Sequence, residues 1–282
     1  MPIDVFCRLK NENLNYNKNK NSCNININYN KKSFNFSVTD IWNNMTNCDI
    51  VHELLQRSYE YNNTYFIAFG YTGSGKTYTT MGILKELIDH YKNKNLECII
   101  STIQIYNENV YDVLNNNAKL KYFKTDELVI NNISYHKITD SKLCVESIKR
   151  NRSTASTIMN NSSSRSHAII TLKIGDKKHI IVDMAGQESS VTGNKLNALS
   201  RNEGSYINLN MLALKECIRN YNKNKKHIPF RRCLLTLALK PMFYNKCYVS
   251  FISTISGEHS TYFKIDSLKY ASALFKPSKN ND

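Results

Sequence analysis

The sequence predicts an α/β protein, a mixed β-sheet with helices on both faces, and three observations lead there. Five apolar runs have the length of strands, several without polar alternation, as strands buried on both faces require. Stretches with helical apolar spacing separate them, the sequence pattern of layered α/β proteins. A glycine-rich loop joins the first run to a helix-compatible stretch.

In chain order the runs are 65–69 (YFIAF), 98–105 (CIISTIQI), 168–174 (AIITLKI), 180–184 (IIVDM) and 248–255 (YVSFISTI). The clearest helix carries Ile207, Met211, Leu214 and Ile218, a stripe within roughly 60° on a wheel of 3.6 residues per turn, which reads as a core-facing side. Residues 11–32 and 220–227, rich in Asn and Lys, read as polar loops. With 9 Gly and 4 Pro in 282 residues, turns must draw on Asn, which tolerates left-handed backbone. No internal repeat, sustained heptad or dividing linker is present, so one domain over 1–282 is expected.

Composition narrows the function classes. There is no apolar run of eighteen residues, and the N-terminal stretch MPIDVFCRLKNENLN has no signal-peptide pattern, so the cytosol or nucleus is expected. The eight cysteines form no C-x-x-C and there is no H-E-x-x-H, which argues against disulfide frameworks and structural zinc. A formal charge of +15 suits a polyanionic partner, whether nucleic acid, anionic membrane or acidic protein surface.

The loop FGYTGSGKTYTTMG contains G-x-x-x-x-G-K-[ST] from Gly70 to Thr77, after a strand pattern and before a helix. That context is the phosphate-binding one: backbone N–H groups and a helix N-terminus face the anion, Lys76 reaches the β and γ oxygens, and Thr77 can ligate Mg²⁺. Two further stretches look like phosphate sensors. NNSSSRSH (160–167) is a hydroxyl-rich loop before a strand, and in VDMAGQES (182–189) an Asp ends a strand with a Gly three residues on. Such an Asp can hold Mg²⁺ through water, and such a Gly N–H can meet a γ-phosphate.

Taken in order, GYTGSGKT, IYNENVYDVL, NNSSSRSH, DMAGQE, EGSYIN and HIPFR resemble the kinesin motor domain over nearly the whole chain, from residue 5 to 275. The resemblance implies a kinesin-like P-loop NTPase with a central eight-stranded mixed sheet, ATP or ADP with Mg²⁺ in the pocket, and microtubules as partner. Nucleic acid and membrane are not expected partners, and a cytoplasmic, cytoskeletal location follows. It places Gly70, Thr72, Gly73, Ser74, Gly75, Lys76 and Thr77 around the phosphates, and Arg8 and Tyr78 near adenine. Thr77, Ser164 and Asp183 would serve the metal. Asn160, Ser163 and Ser164 would form the first switch, with both serines ordering the attacking water. Asp183 and Gly186 would form the second, and Arg165 and Glu188 the ion pair that closes the site. Lys215, Arg219, Lys223, Lys225, Lys226, Arg231 and Arg232 fall where the family meets tubulin.

LALKECIR (212–219) and AKLKYF (118–123) resemble the kinesin-13 group, which depolymerises microtubule ends. Against this, residues 11–32 carry no Lys-Val-Asp triplet, which that group bears on an early extended loop. Lys10 and Asn11 replace the usual Arg-Pro, Tyr71 stands where Gln is common, and Leu234 takes a Lys position. The expectation is an ATPase of depolymerase type, with a monomer favoured. The alternatives are a stepping motor of another subfamily, a non-catalytic microtubule-binding protein of the same fold, and a basic P-loop nucleic-acid ATPase. The last explains the charge but not the switch sequences.

Overall fold

The computed structural model describes residues 1–276 apart from 13, 21, 159–164 and 188–197; the side chains of 154–158 and 198–205 also lie outside the description. The chain opens with β1 (Ile3–Lys10), a three-stranded antiparallel sheet of β2 (Asn15–Asn19), β3 (Ser22–Tyr29) and β4 (Lys32–Val38), and then β5 (Asp40–Trp42). Next come α1 (Asn47–Arg57), β6 (Asn63–Phe69), α2 (Lys76–Lys92), β7 (Ile99–Tyr106), β8 (Asn109–Asp112) and β9 (Ala118–Leu120). A hairpin of β10 (Tyr122–Lys124) and β11 (Leu128–Ile130) precedes β12 (His136–Lys137), α3 (Ser141–Ile158), β13 (His167–Ile174) and β14 (Lys177–Asp183). The remainder is α4 (Ala198–Asn222), α5 (Leu234–Ala238), α6 (Pro241–Tyr244), β15 (Cys247–Ser256) and α7 (Thr261–Leu274).

The main sheet runs β5-β1-β15-β6-β14-β13-β7-β8-β9, with β12 also on β7. It is the mixed sheet the sequence predicts, and its ten strands include the two- and three-residue segments β5, β9 and β12. All five apolar runs are strands within it. Pairing is parallel from β5 to β14 and antiparallel beyond. Alternate residues of the central strands feed two cores. Tyr65, Ile67 and Phe69 of β6 join Met211, Leu214 and Ile218 of α4 and Leu268 of α7. Phe66 and Ala68 join Leu54 of α1, Leu84 of α2 and Ile148 of α3. The sheet is therefore sandwiched between α1–α3 on one face and α4–α7 on the other, which is why its strands read as continuous apolar runs. The predicted stripe of α4 is buried at all four positions.

One expectation fails. Residues 11–32, read as a polar loop, contain β2 and β3. In SCNININY the residues Cys23, Ile25 and Ile27 are buried while Asn24, Asn26 and the exposed Asn28 point outward. The period of two outweighs the poor strand preference of Asn, because Asn need only occupy the wet face. The expectation about turns holds: among the described residues with positive φ, every non-glycine except Lys31 and Glu108 is an asparagine.

Candidate nucleotide site and basic face

The glycine-rich loop leaves β6 and enters α2, so the fold delivers it to the C-terminal ends of the parallel strands, where ligands bind in open α/β sheets. Gly70 has φ +142°, and a Cβ there would lie 2.5 Å from the Thr254 carbonyl oxygen. Only glycine lets β6 and β15 approach so closely at this bend. Gly73 (φ +81°) and Gly75 (φ +102°), the residue before α2, carry the left-handed turns that point successive N–H groups inward. The Thr254 hydroxyl donates to the Phe69 carbonyl at 3.1 Å, so the Ser74 hydroxyl, 2.6 Å away, donates to Thr254. That chain pins the loop to β15.

Lys76 is buried, and its ammonium donates to the carbonyls of Gly70 (2.9 Å) and Tyr71 (2.8 Å). The charge thus sits inside the loop it is expected to serve. Asp183 ends β14 beside Ala68 of β6. One of its oxygens, Oδ2, accepts the Thr77 hydroxyl at 2.7 Å and pairs with Arg152 of α3. The other, Oδ1, is buried and has no partner among the described residues. A hydroxyl and a carboxylate with an unused oxygen suit a hard, oxygen-seeking cation. No group of three or more His, Cys, Asp or Glu that could hold a metal occurs among the described residues. The donors therefore fit Mg²⁺, which takes one or two carboxylates plus substrate phosphates, better than a metal needing a full protein cage.

The cleft continues past Arg8, Lys10, Asn11, Asn44, Met45 and Tyr78, enclosing about 640 Å³. The Arg8 guanidinium donates to the Asn47 side chain (2.6 Å) and the Thr79 hydroxyl (3.0 Å) and lies 5.1 Å from the centre of the exposed Tyr78 ring. Burial lowers its pKa from the ordinary arginine value. A flat ring beside an anchored guanidinium is a surface on which a base can stack. Beyond Asp183, the Met184 N–H donates to the Ala68 carbonyl (3.1 Å), Ala185 N–H to His167 Nδ1 (3.1 Å) and Gln187 N–H to the Gly70 carbonyl (3.2 Å). Gly186 is held between these last two anchors, beside the loop.

The structure thus brings Arg8, Thr72, Gly73, Ser74, Gly75, Lys76, Thr77, Tyr78 and Asp183 to one cleft, with Gly70 at the base of the loop and Gly186 close by in the chain, between residues tied to His167 and to Gly70. Arg165 lies just before β13, whereas Asn160, Ser163, Ser164 and Glu188 lie outside the described residues. Sequence reasoning missed Arg152. Its signal was positional, since it extends the buried face of Val145 and Ile148 in α3 at i, i+3 and i+7, where an arginine is expected only with a partner. Tyr71, which replaces the common Gln, is buried, stacks on Phe263 (4.3 Å between centres) and donates its hydroxyl to Asp266 (2.7 Å). The substitution ties the loop to α7.

The basic residues gather on the α4 side. Arg219, Lys223, Lys225 and Lys226 are exposed. Lys215 is half-buried, its ammonium 5.9 Å from the centre of the Tyr270 ring. Arg231 faces Asp126 at 3.8 Å and donates to the Thr125 carbonyl (3.0 Å), while Arg232 pairs with Glu216. These two charges are partly compensated within the chain. Leu234 is wholly buried, so it serves the core and not the surface. Arg231 also links this face to the β10–β11 hairpin, where Phe123 and Val129 are exposed.

Comparison with known proteins agrees with this geometry. The kinesin motor domain family model matches residues 5–276. Kinesin-like protein KIN-13B of Arabidopsis thaliana is 33% identical over 243 residues, covering 76% of this chain and 35% of the relative. Human kinesin-like protein KIF24 is 32% identical over 256 residues, covering 80% of this chain and 19% of the relative. The chain matches about a third and a fifth of the lengths of those relatives. Among solved structures, the motor domain of the Saccharomyces cerevisiae kinesin-like protein Kar3 superposes with a TM-score of 0.77 at 25% identity, covering 97% of this chain and 99% of the other. A fast kinesin gives a TM-score of 0.80 at 18% identity, covering 98% and 91%; that likeness concerns the fold alone. A phosphate loop pinned between β6 and β15, an aspartate facing its threonine, and a family match spanning both lead to one conclusion: the chain belongs to the kinesin motor domain family.

Proposed function

We propose that the chain is an ATP-hydrolysing, microtubule-binding motor that uses Mg²⁺ and, within its family, shortens microtubules from their ends. The observation that carries the ATPase reading is the junction of Thr77 with Asp183 Oδ2 at the start of α2, where the buried Asp183 Oδ1 has no partner among the described residues. Mg²⁺, when bound, neutralises charge on the phosphate oxygens. Thr77 and Asp183 would hold it, with Ser164 completing the set.

The remaining roles belong to the chain's own groups. Lys76 exchanges the Gly70 and Tyr71 carbonyls for phosphate oxygens, turning a contact inside the loop into one with substrate. The loop amides and the N-terminus of α2 bear on the same anion. Arg8 and Tyr78 orient the base. Asn160, Ser163 and Ser164 form the first switch, in which the two serines order the attacking water; Gly186 senses the γ-phosphate, and Arg165 with Glu188 closes the site. Phosphoryl transfer to water depends on such positioning and charge stabilisation and needs no covalent nucleophile.

The depolymerase reading is supported by LALKECIR on α4 and by the likeness to KIN-13 proteins. The exposed cations of the α4 face supply the attraction to an acidic polymer, and the family supplies tubulin as that polymer. We place the protein on cytoskeletal microtubules, with residues 1–282 acting as one motor domain and as a monomer. The test is turnover and nucleotide binding in Glu188→Ala: ATP binding should persist while hydrolysis is largely lost. Normal hydrolysis in that variant refutes the assignment.

A further inference from the structure

Both terminal nitrogens of the Arg8 guanidinium are engaged by the protein. Nη1 donates to Asn47 Oδ1 at 2.6 Å and to the Thr79 hydroxyl at 3.0 Å, and Nη2 reaches the Met45 carbonyl at 3.5 Å. The directions of these bonds are fixed by chemistry. A guanidinium can only donate, so the oxygen of the Asn47 amide, and not its nitrogen, faces Arg8. The Thr79 hydroxyl gives its own proton to the Gly75 carbonyl at 2.8 Å, so it too accepts from Arg8. Through Thr79 the arginine is tied to the phosphate loop, whereas through Asn47 it is tied to α1.

Asn47 is the first residue of α1, and two features hold it in place. Thr46 caps that helix in a capping box with Asp49: the Thr46 hydroxyl accepts the Asp49 N–H at 3.2 Å, and the Asp49 carboxylate accepts the Thr46 N–H at 3.1 Å. On the other side lies Gly82 of α2, where a Cβ would overlap the nitrogen and carbon of the Asn47 amide and come to 2.7 Å from its oxygen. Glycine inside a helix is destabilising relative to alanine, and here the missing Cβ makes the space in which the amide lies. Gly82 stands one turn beyond Thr79, so α2 supplies one acceptor for Arg8 and the room for another. Neither Asn47 nor Gly82 lines the cleft itself.

We propose that Asn47, seated against Gly82, is a positioning residue for the nucleotide base: it holds the Arg8 guanidinium beside the Tyr78 ring, so that the base meets a surface already in place. The proposal rests on the ATPase reading above. A long arginine side chain free in the cleft would have to be ordered when the nucleotide binds, and that lost freedom opposes binding. With Asn47, Thr79 and Met45 taking its N–H groups, Arg8 is ordered beforehand, its carbon 5.1 Å from the centre of the Tyr78 ring. The two main acceptors differ in reach. Losing Thr79 would disturb the Gly75 carbonyl as well as Arg8, whereas losing Asn47 acts on the base end alone.

The test uses the full chain and compares affinity for Mg·ATP with affinity for Mg·tripolyphosphate, which carries the phosphates without the base, alongside the ATP dependence of turnover. Asn47→Ala should weaken ATP binding about tenfold, the scale of one hydrogen bond to a charged group. KM for ATP should rise with kcat little altered, and tripolyphosphate affinity should not change. Gly82→Ala, whose Cβ displaces the amide without touching Arg8, should weaken ATP in the same selective way and decides the matter if Asn47→Ala does not fold. The double variant should be no weaker than Asn47→Ala, because the new Cβ then has no amide to displace. Asn47→Asp keeps the acceptor and should bind ATP as the parent does. Unchanged ATP affinity in the folded variants, or an equal loss for tripolyphosphate, overturns this proposal and leaves the ATPase reading intact. A parent that binds no ATP overturns both.

Discussion

Replacing Arg152 by Met keeps the length of the side chain and the helix preference of α3 while removing its charge. The arginine is 3% exposed and its partner Asp183 1%, so the substitution strands a carboxylate in the interior. Breaking a buried pair from one side costs about 3–5 kcal/mol, far more than a surface pair, because the remaining charge keeps the Thr77 hydroxyl but loses its compensating cation. For chains somewhat smaller than this one, each kcal/mol moves the melting midpoint by roughly 2–4 °C. Arg152→Met should therefore lower the thermal midpoint by about 10 °C. Adding Asp183→Asn removes the stranded charge, and the double variant should regain more than half of the loss. Thermal melts of the parent, both single variants and the double variant form the complete cycle. A cost below about 1 kcal/mol for Arg152→Met, or a double variant no more stable than Arg152→Met, would refute the claim that charge burial dominates here.

Gly70→Ala should abolish tight nucleotide binding while the protein still folds, because its Cβ would press to 2.5 Å from the Thr254 carbonyl at φ +142°; a fluorescent-nucleotide titration reads this, and unaltered affinity contradicts it. Stability should fall as pH drops from 6.5 toward 5.5. Burial lowers the pKa of His167 to about 4 and of His179 to about 3 from an ordinary 6.5, so across that window the unfolded chain holds an excess of protons over the native state that rises from about one to nearly two. Each contributes up to ~1.4 kcal/mol per pH unit. Urea unfolding at the two pH values measures the slope, which His179→Gln should reduce and which a flat profile would disprove. Replacing Lys223, Lys225 and Lys226 together by Ala should weaken microtubule binding at low salt and flatten its salt dependence, since exposed charges act over a Debye length of about 8 Å at physiological ionic strength; co-sedimentation across a salt series shows whether they do.

The parts of the molecule legible in the sequence are those whose physics is local. The strand before Gly70, the asparagines at left-handed turns and the stripe Ile207, Met211, Leu214 and Ile218 follow from chain geometry alone, and the structure places each as expected. β3 was misread because its outward Asn residues dominated the composition, although its buried Cys23, Ile25 and Ile27 alternate cleanly. Arg152 and the hold of Asn47 on Arg8 could not be read that way. Their partners lie 31 residues away for Arg152 and Asp183 and 39 for Arg8 and Asn47, so only the folded sheet and helices bring them together. Likewise the sequence presents Arg231 and Arg232 as bare cations, while the fold sets Asp126 and Glu216 against them.

The most direct test of the account is ATP turnover by this chain without tubulin, with free tubulin and with stabilised microtubules, while microtubule length is followed in the same samples. The account predicts turnover stimulated by tubulin polymer together with shortening from the ends. Stimulation at constant length would contradict the depolymerase assignment, and no stimulation by either free tubulin or microtubules over the tubulin-free rate would contradict the claim that cleft and basic face work as one machine.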